Sequence, residues 1–267
     1  MHEHGGGAGW WPVLAVLAVA VPYLAAGLRL HRRGDRWPAS RWAAAAGGVA
    51  ALATALALPP APFAVHVVGH LLLAMLGPLL LALAAPVTLA LRALPATGRR
   101  RLLRVLHSPP ARVIVTPPVV LVLELGGMFA FYLTDLFALA HAHPLVMAVV
   151  DLHMVLAGLL LAVVLVGADP LPRRPRLAVS LLTLLVAAAG HDVLAKLMYA
   201  RTLPAQGGTP AEIRLGAQVM YYGGSAVEIA LAVAIMAGWY ARGGRELRRG
   251  VRRTAQAAEP AGTRARG

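Results

Sequence analysis

Apolar residues fall along this chain in seven long runs, separated by short segments that hold most of the charge and much of the proline. The runs cover residues 11–30, 42–58, 64–91, 113–137, 144–167, 177–199 and 215–240. They are too long and too numerous for buried core helices. Each can cross a hydrocarbon layer, which takes about 20 apolar residues. Punctuation agrees with these limits: Pro59-Pro60 follows the second run and Pro144 opens the fifth. The pattern predicts an all-α fold, a polytopic transmembrane helix bundle of seven spans forming one domain over residues 1–241. Residues 242–267, rich in Ala, Gly, Arg and Glu, are expected to be a disordered basic tail.

Composition sharpens this picture. The 267 residues are 59% hydrophobic and 13% charged, about half the charged fraction of a soluble domain. A net charge of +14 would suggest nucleic acid on a soluble surface. Here every one of the 25 basic residues except Lys196 lies in a loop, a tail or a helix end. Connections one, three and five and the tail hold 5, 6, 3 and 8 of them; connections two and four hold none. That alternation places the odd connections and the carboxyl tail in the cytoplasm and the amino terminus outside. The expected partner of the basic face is therefore anionic lipid, not nucleic acid. Positive charge follows the first run and does not precede it, so that run is expected to be an uncleaved helix, not a signal peptide. Cysteine is absent, which excludes disulfides and thiolate metal sites.

Ionisable groups within spans are costly and mark candidate functional positions. They are His66 and His70 in the third run, Glu124 in the fourth, Asp151 and His153 in the fifth, His191, Asp192 and Lys196 in the sixth, and Glu228 in the seventh. At 1.5 Å per residue, His66 and His70 lie roughly 3 to 10 Å below the outer boundary, and His153 and His191 at about 12 to 14 Å. Three helices thus bring histidine to one outer layer. His66 and His70, four apart, share a helix face, and imidazole is a good ligand for copper or zinc. Met154, Met198 and Met220 lie near the same layer and would add preference for Cu(I). Asp151 and His153 are about 200° apart around an ideal helix, so both cannot face one site. Met75 falls roughly opposite His66 and is expected to pack. Asp192 and Lys196, an i,i+4 pair, are expected to neutralise each other.

The stretch VHVVGHLLLAMLGPLLLALAAPVTLALRALP (residues 65–95) resembles the signature of the CtaG-type, multi-span cytochrome c oxidase assembly proteins. LHSPPAR (106–112), DLHMVLAG (151–158), VGADPLPRRP (166–175), AAGHDVLAKLM (188–198) and GAQVMYY (216–222) continue the resemblance in order. It implies a plasma-membrane assembly factor, not an enzyme, that matures a haem–copper oxidase by handling copper ion at the outer face. The implied partners are haem–copper oxidase subunits or an outer copper donor. His66, His70, His153 and His191 match histidines of the family pattern and are the implied metal ligands, with Asp151, Met154, Met198 and Met220 as further candidates. Asp151 stands where the family has the first histidine of a His-x-His, and a carboxylate is a poor Cu(I) ligand. Glu212-Ile213-Arg214 replaces the usual Asp-Gln before the last span. Two other readings use the same residues: a copper or other metal-ion permease, with Glu124 and Glu228 as onward steps, and a membrane b-type cytochrome with histidine axial ligands.

Overall fold

The computed structural model describes residues 11–172 and 174–258, with side chains over 12–172 and 174–244. It is all-helical, with no strand among the described residues. The helices are α1 (Trp11–Arg32), α2 (Ala39–Ala57), α3 (Phe63–His70), a π-helical segment (Leu71–Leu76), α4 (Gly77–Leu83), α5 (Pro86–Ala93), α6 (Ala96–Leu106), α7 (Pro109–Ile114), α8 (Pro117–Leu133), α9 (Leu136–Ala142), α10 (Pro144–Val166), α11 (Leu177–Arg201) and α12 (Pro210–Ala258). Five are long and apolar enough to cross a membrane: α1, the continuous Phe63–Leu83 unit, α10, α11 and α12. A sixth is reached if α8 and α9, bent by 78°, form one broken span. α2, 19 residues rich in alanine and glycine behind Ser40-Arg41, is not among these candidates.

Proline decides where two of the apolar runs break. The third run stops at Leu83, short of the expected residue 91. Pro86 disfavours helical geometry at the residue before it, and Ala85 sits in the left-handed region at φ 52°. Pro86 then starts α5 at the first-turn position that tolerates a missing N–H. The fourth run likewise begins at Pro117, not 113, because Pro117-Pro118 starts a new helix after the short α7. It ends at Leu133, where Thr134 is extended. The Thr134 hydroxyl donates to Ala130 O at 2.6 Å and accepts from Leu136 N at 3.2 Å, which closes the bend. At α12 a capping box starts the helix: Thr209 N donates to the Glu212 carboxylate at 2.8 Å and Glu212 N to the Thr209 hydroxyl at 3.3 Å. The helix then runs on through the basic stretch as far as Ala258; the rest of the expected tail, 259–267, lies outside the described residues.

The Phe63–Leu83 unit is the axis of the bundle, packed by α2, α10 and α12. α11 and α12 form the most extensive helix pair, and α1 rests on α2 and α5 at the edge. Tyr23 fastens α1: its hydroxyl donates towards Ala84 O at 3.1 Å and Arg41 O at 3.2 Å and accepts from Trp37 Nε1 at 2.9 Å. One core surrounds the α3–α8 contact and includes Phe63, Val67, Tyr132, Met154, Met198 and Met220. A second, around Leu79, Leu165 and Ile235, fills the opposite end of the bundle.

Candidate functional site

The four-residue spacing stacks His66 and His70 on one face of α3, and α8 meets that face. Tyr132, fully buried, stands against both histidines. Its hydroxyl is 3.5 Å from His66 Nε2, and its ring meets His70 edge-on at 5.4 Å. His66 also lies parallel to Phe63 and Phe131, each at 5.9 Å between centroids. The bend after Leu133 folds α9 back over this cluster and carries His141 to 5.3 Å from His66. His141 Nδ1 is 2.7 Å from Phe137 O. A carbonyl only accepts, so Nδ1 carries the proton and, in the neutral ring, Nε2 keeps its lone pair.

His70 lies one turn deeper, 6% exposed, with Nδ1 lacking any hydrogen-bond partner. The helix widens immediately after it. Pro78 cannot donate to Ala74 O, and Gly77 N reaches back five residues to Leu72 O, a π turn. Gly158 of α10 seats against the freed carbonyl: a Cβ there would overlap Ala74 O. Met75 packs against the core, as expected, and also lines a cavity of about 40 Å³ with Glu124, Met128, His191 and Glu228. That volume holds one or a few waters. His191, 4% exposed, has neither ring nitrogen hydrogen-bonded, and its Nδ1 is 3.7 Å from the Glu228 carboxylate. Gly224 gives it room, since a Cβ there would overlap the imidazole.

His66, His70 and His191 therefore follow one another along the Phe63–Leu83 unit, with His191 beside Ala74 and Met75, one turn beyond His70. His153 is turned elsewhere. Its Nε2 is 3.1 Å from Leu123 O, and the ring covers Gly127 of α8. Similar depth did not bring the four expected histidines together, because helix rotation aims His153 at the α8 backbone. Among the described residues no group of three or more His, Asp or Glu side chains gathers closely enough to hold a metal ion. Asp151 points to another side, as the 200° separation required, and lines an apolar lateral groove between α1, α2 and α10. Met154, Met198 and Met220 are buried in the core around Tyr132. Among the described residues no ion pair joins Asp192 to Lys196; the ammonium lies 5.2 Å over the Tyr221 ring, while Asp192 Oδ1 is buried without a partner.

Three residues of this region were not singled out from the sequence: Tyr132, which stands against both α3 histidines, His141 and Asp169. His141 read as part of a connection, and only the α8–α9 bend reveals its neighbour. Asp169, 1% exposed, caps α5 from 81 residues away. It accepts from Val87 N at 3.1 Å, Thr88 N at 2.7 Å and the Thr88 hydroxyl at 2.6 Å. Arg174 in turn donates to Asp169 O at 3.0 Å. The signal was present in the paired segments AAPVT and GADP, but nothing local says that they meet.

The sequence profile of the cytochrome c oxidase caa3 assembly factor family, Caa3_CtaG, matches residues 21–242. The chain belongs to that family. The match runs from the second half of α1 to the apolar part of α12, including both histidines of α3, the α8–α9 bend and the Asp169 cap. Family membership makes it a membrane protein of cytochrome c oxidase assembly, in agreement with its apolar helices. No curated protein and no solved structure matches the chain.

Proposed function

We propose that this chain is a seven-span plasma-membrane assembly factor, not an enzyme, that handles copper ion at the outer face for the copper sites of a haem–copper oxidase. The observation that carries the reading is the series His66, His70 and His191. His70 and His191 are buried in an apolar bundle, and among the described residues His70 Nδ1 and both His191 ring nitrogens have no hydrogen-bond partner. Unpaired buried polar atoms are rare and costly, and a soft cation is what neutral imidazole and nearby thioether can satisfy. Copper here is cargo, taken up and passed on to oxidase subunits or received from an outer donor. The Arg-rich connections face anionic lipid on the other side. α2 supplies the second crossing: its 19 residues span about 28 Å, enough for the hydrocarbon layer despite its alanine content.

Deleting the gene tests the functional reading. Oxidase should then accumulate with copper-deficient sites and regain activity when the medium carries excess copper. Apo-oxidase that copper cannot rescue would place the protein at a different assembly step. Reporter fusions test topology: one after Arg253 should be cytoplasmic, and those after Pro60 or His143 external. One observation favours metal permeation as a second reading. The cavity with Glu124 and Glu228 continues inward from His191. Copper uptake into proteoliposomes would separate the two, since an assembly factor of this kind moves no copper across a sealed bilayer.

A further inference from the structure

We infer that cuprous ion first binds between His66 and His141, in a two-imidazole site caged by aromatic rings, with α9 as the arm that completes it. This rests on the copper reading above and assigns its first ligands. The pair is the most exposed point of the histidine series: His141 is on the surface, His66 half-buried and His70 buried beneath it. Metal–imidazole bonds are about 2 Å, so two nitrogens on one ion stand at most about 4 Å apart. A linear N–Cu–N unit sets the two ring centroids about 6 Å apart; they stand 5.3 Å apart, so the exposed His141 ring needs only a small outward shift. The second observation is the tautomer of His141. Its Nδ1–H is spent on Phe137 O at 2.7 Å, which leaves Nε2 as a donor atom. Metal-binding histidines characteristically donate their other ring N–H to a carbonyl or carboxylate in this way.

The surroundings select the ion. Phe63, Phe131 and Phe137 pack around His66. Zinc prefers four ligands, often including anionic ones, which this cage does not offer. Cu(I) is satisfied by two soft or borderline ligands, and the adjacent ring faces attract a cation. His70, one turn deeper with a free Nδ1, is the next acceptor along the series. Binding transfers an intact Cu⁺ from its carrier, with no change in oxidation state and no proton released from His141 Nδ1.

The test is anaerobic titration of the detergent-purified full chain with Cu(I) against a chromophoric competitor, with Zn(II) in parallel and X-ray absorption on the copper-loaded protein. Wild type should bind Cu(I) in preference to Zn(II), with a two-coordinate nitrogen shell. His66→Ala and His141→Ala should each weaken Cu(I) binding about tenfold or more, while His143→Ala on the same arm should not. Because His141 is exposed, its alanine variant should melt like wild type; His141→Met, which restores a soft donor, should recover part of the affinity. Wild-type affinity in His141→Ala, or a four-coordinate shell, would overturn this assignment and leave the copper reading standing. A wild-type protein that binds no Cu(I) would overturn both.

Discussion

Replacing Asp169 by asparagine changes one oxygen into an NH₂ group, yet that oxygen faces a donor. The native carboxylate accepts from Thr88 N and the Thr88 hydroxyl through Oδ1 and from Val87 N through Oδ2. An asparagine can place its carbonyl on only one of these sides, and its NH₂ then meets another N–H. Hydrogen bonds to charged groups contribute about 1.5–3 kcal/mol each, and a buried unsatisfied donor costs about 1–3 kcal/mol. The negative charge at the α5 N-terminus adds up to about 2 kcal/mol in partly buried geometry. These terms overlap, so Asp169→Asn should destabilise by about 2–3 kcal/mol and Asp169→Ala by about 3–5 kcal/mol. Thr88→Val should lose part of the same interaction, so the double variant should be less damaged than the sum of the singles by about 1 kcal/mol or more. Reversible unfolding of detergent-purified protein by denaturing surfactant gives all four values. An Asp169→Asn protein as stable as wild type would refute the capping argument.

Two further substitutions probe the packing. Gly158→Ala drives a methyl into the Ala74 carbonyl beside the π turn and should cost about 1–3 kcal/mol, seen as a lower melting temperature; an unchanged melting temperature would mean that α10 moves away without penalty. Asp192→Asn and Lys196→Gln should act independently, with a coupling under about 0.5 kcal/mol in a double-mutant cycle, because Lys196 lies over Tyr221 and not on Asp192. A coupling above about 1 kcal/mol would restore the ion pair that the i,i+4 spacing suggests.

The helical architecture was legible because lipid-length apolar runs and proline punctuation are local signals. α10 and α11 begin at the expected Pro144 and Leu177 and end within two residues of expectation. Pro86 and Pro117 carried the information for two breaks, but an apolar run that continues through a proline hides it. Angular reasoning survived where the helix is regular, at Asp151 and His153 on α10. Met75 packs as expected, but spacing alone could not show the π turn around it or that it lines the cavity beside His191. The His66–His70 face was readable from spacing alone. His141, Tyr132 and Asp169 were not, since each acquires its role from a bend or a contact far away in sequence.

The central claim is that the buried histidine series serves oxidase maturation and not the stability of the bundle. The most direct measurement is the copper content of cytochrome c oxidase purified from a deletion strain complemented with wild type, His66→Ala or His70→Ala, with membrane levels of each variant checked. His66 is half-buried with one marginal hydrogen bond to Tyr132, so its loss should cost about 1 kcal/mol or less. His70 is buried against Tyr132, and its truncation leaves a cavity costing about 2–3 kcal/mol. His66→Ala should accumulate to normal levels, His70→Ala should remain detectable in the membrane, and both should yield copper-deficient, inactive oxidase. Fully metallated, active oxidase with both histidines replaced would contradict it.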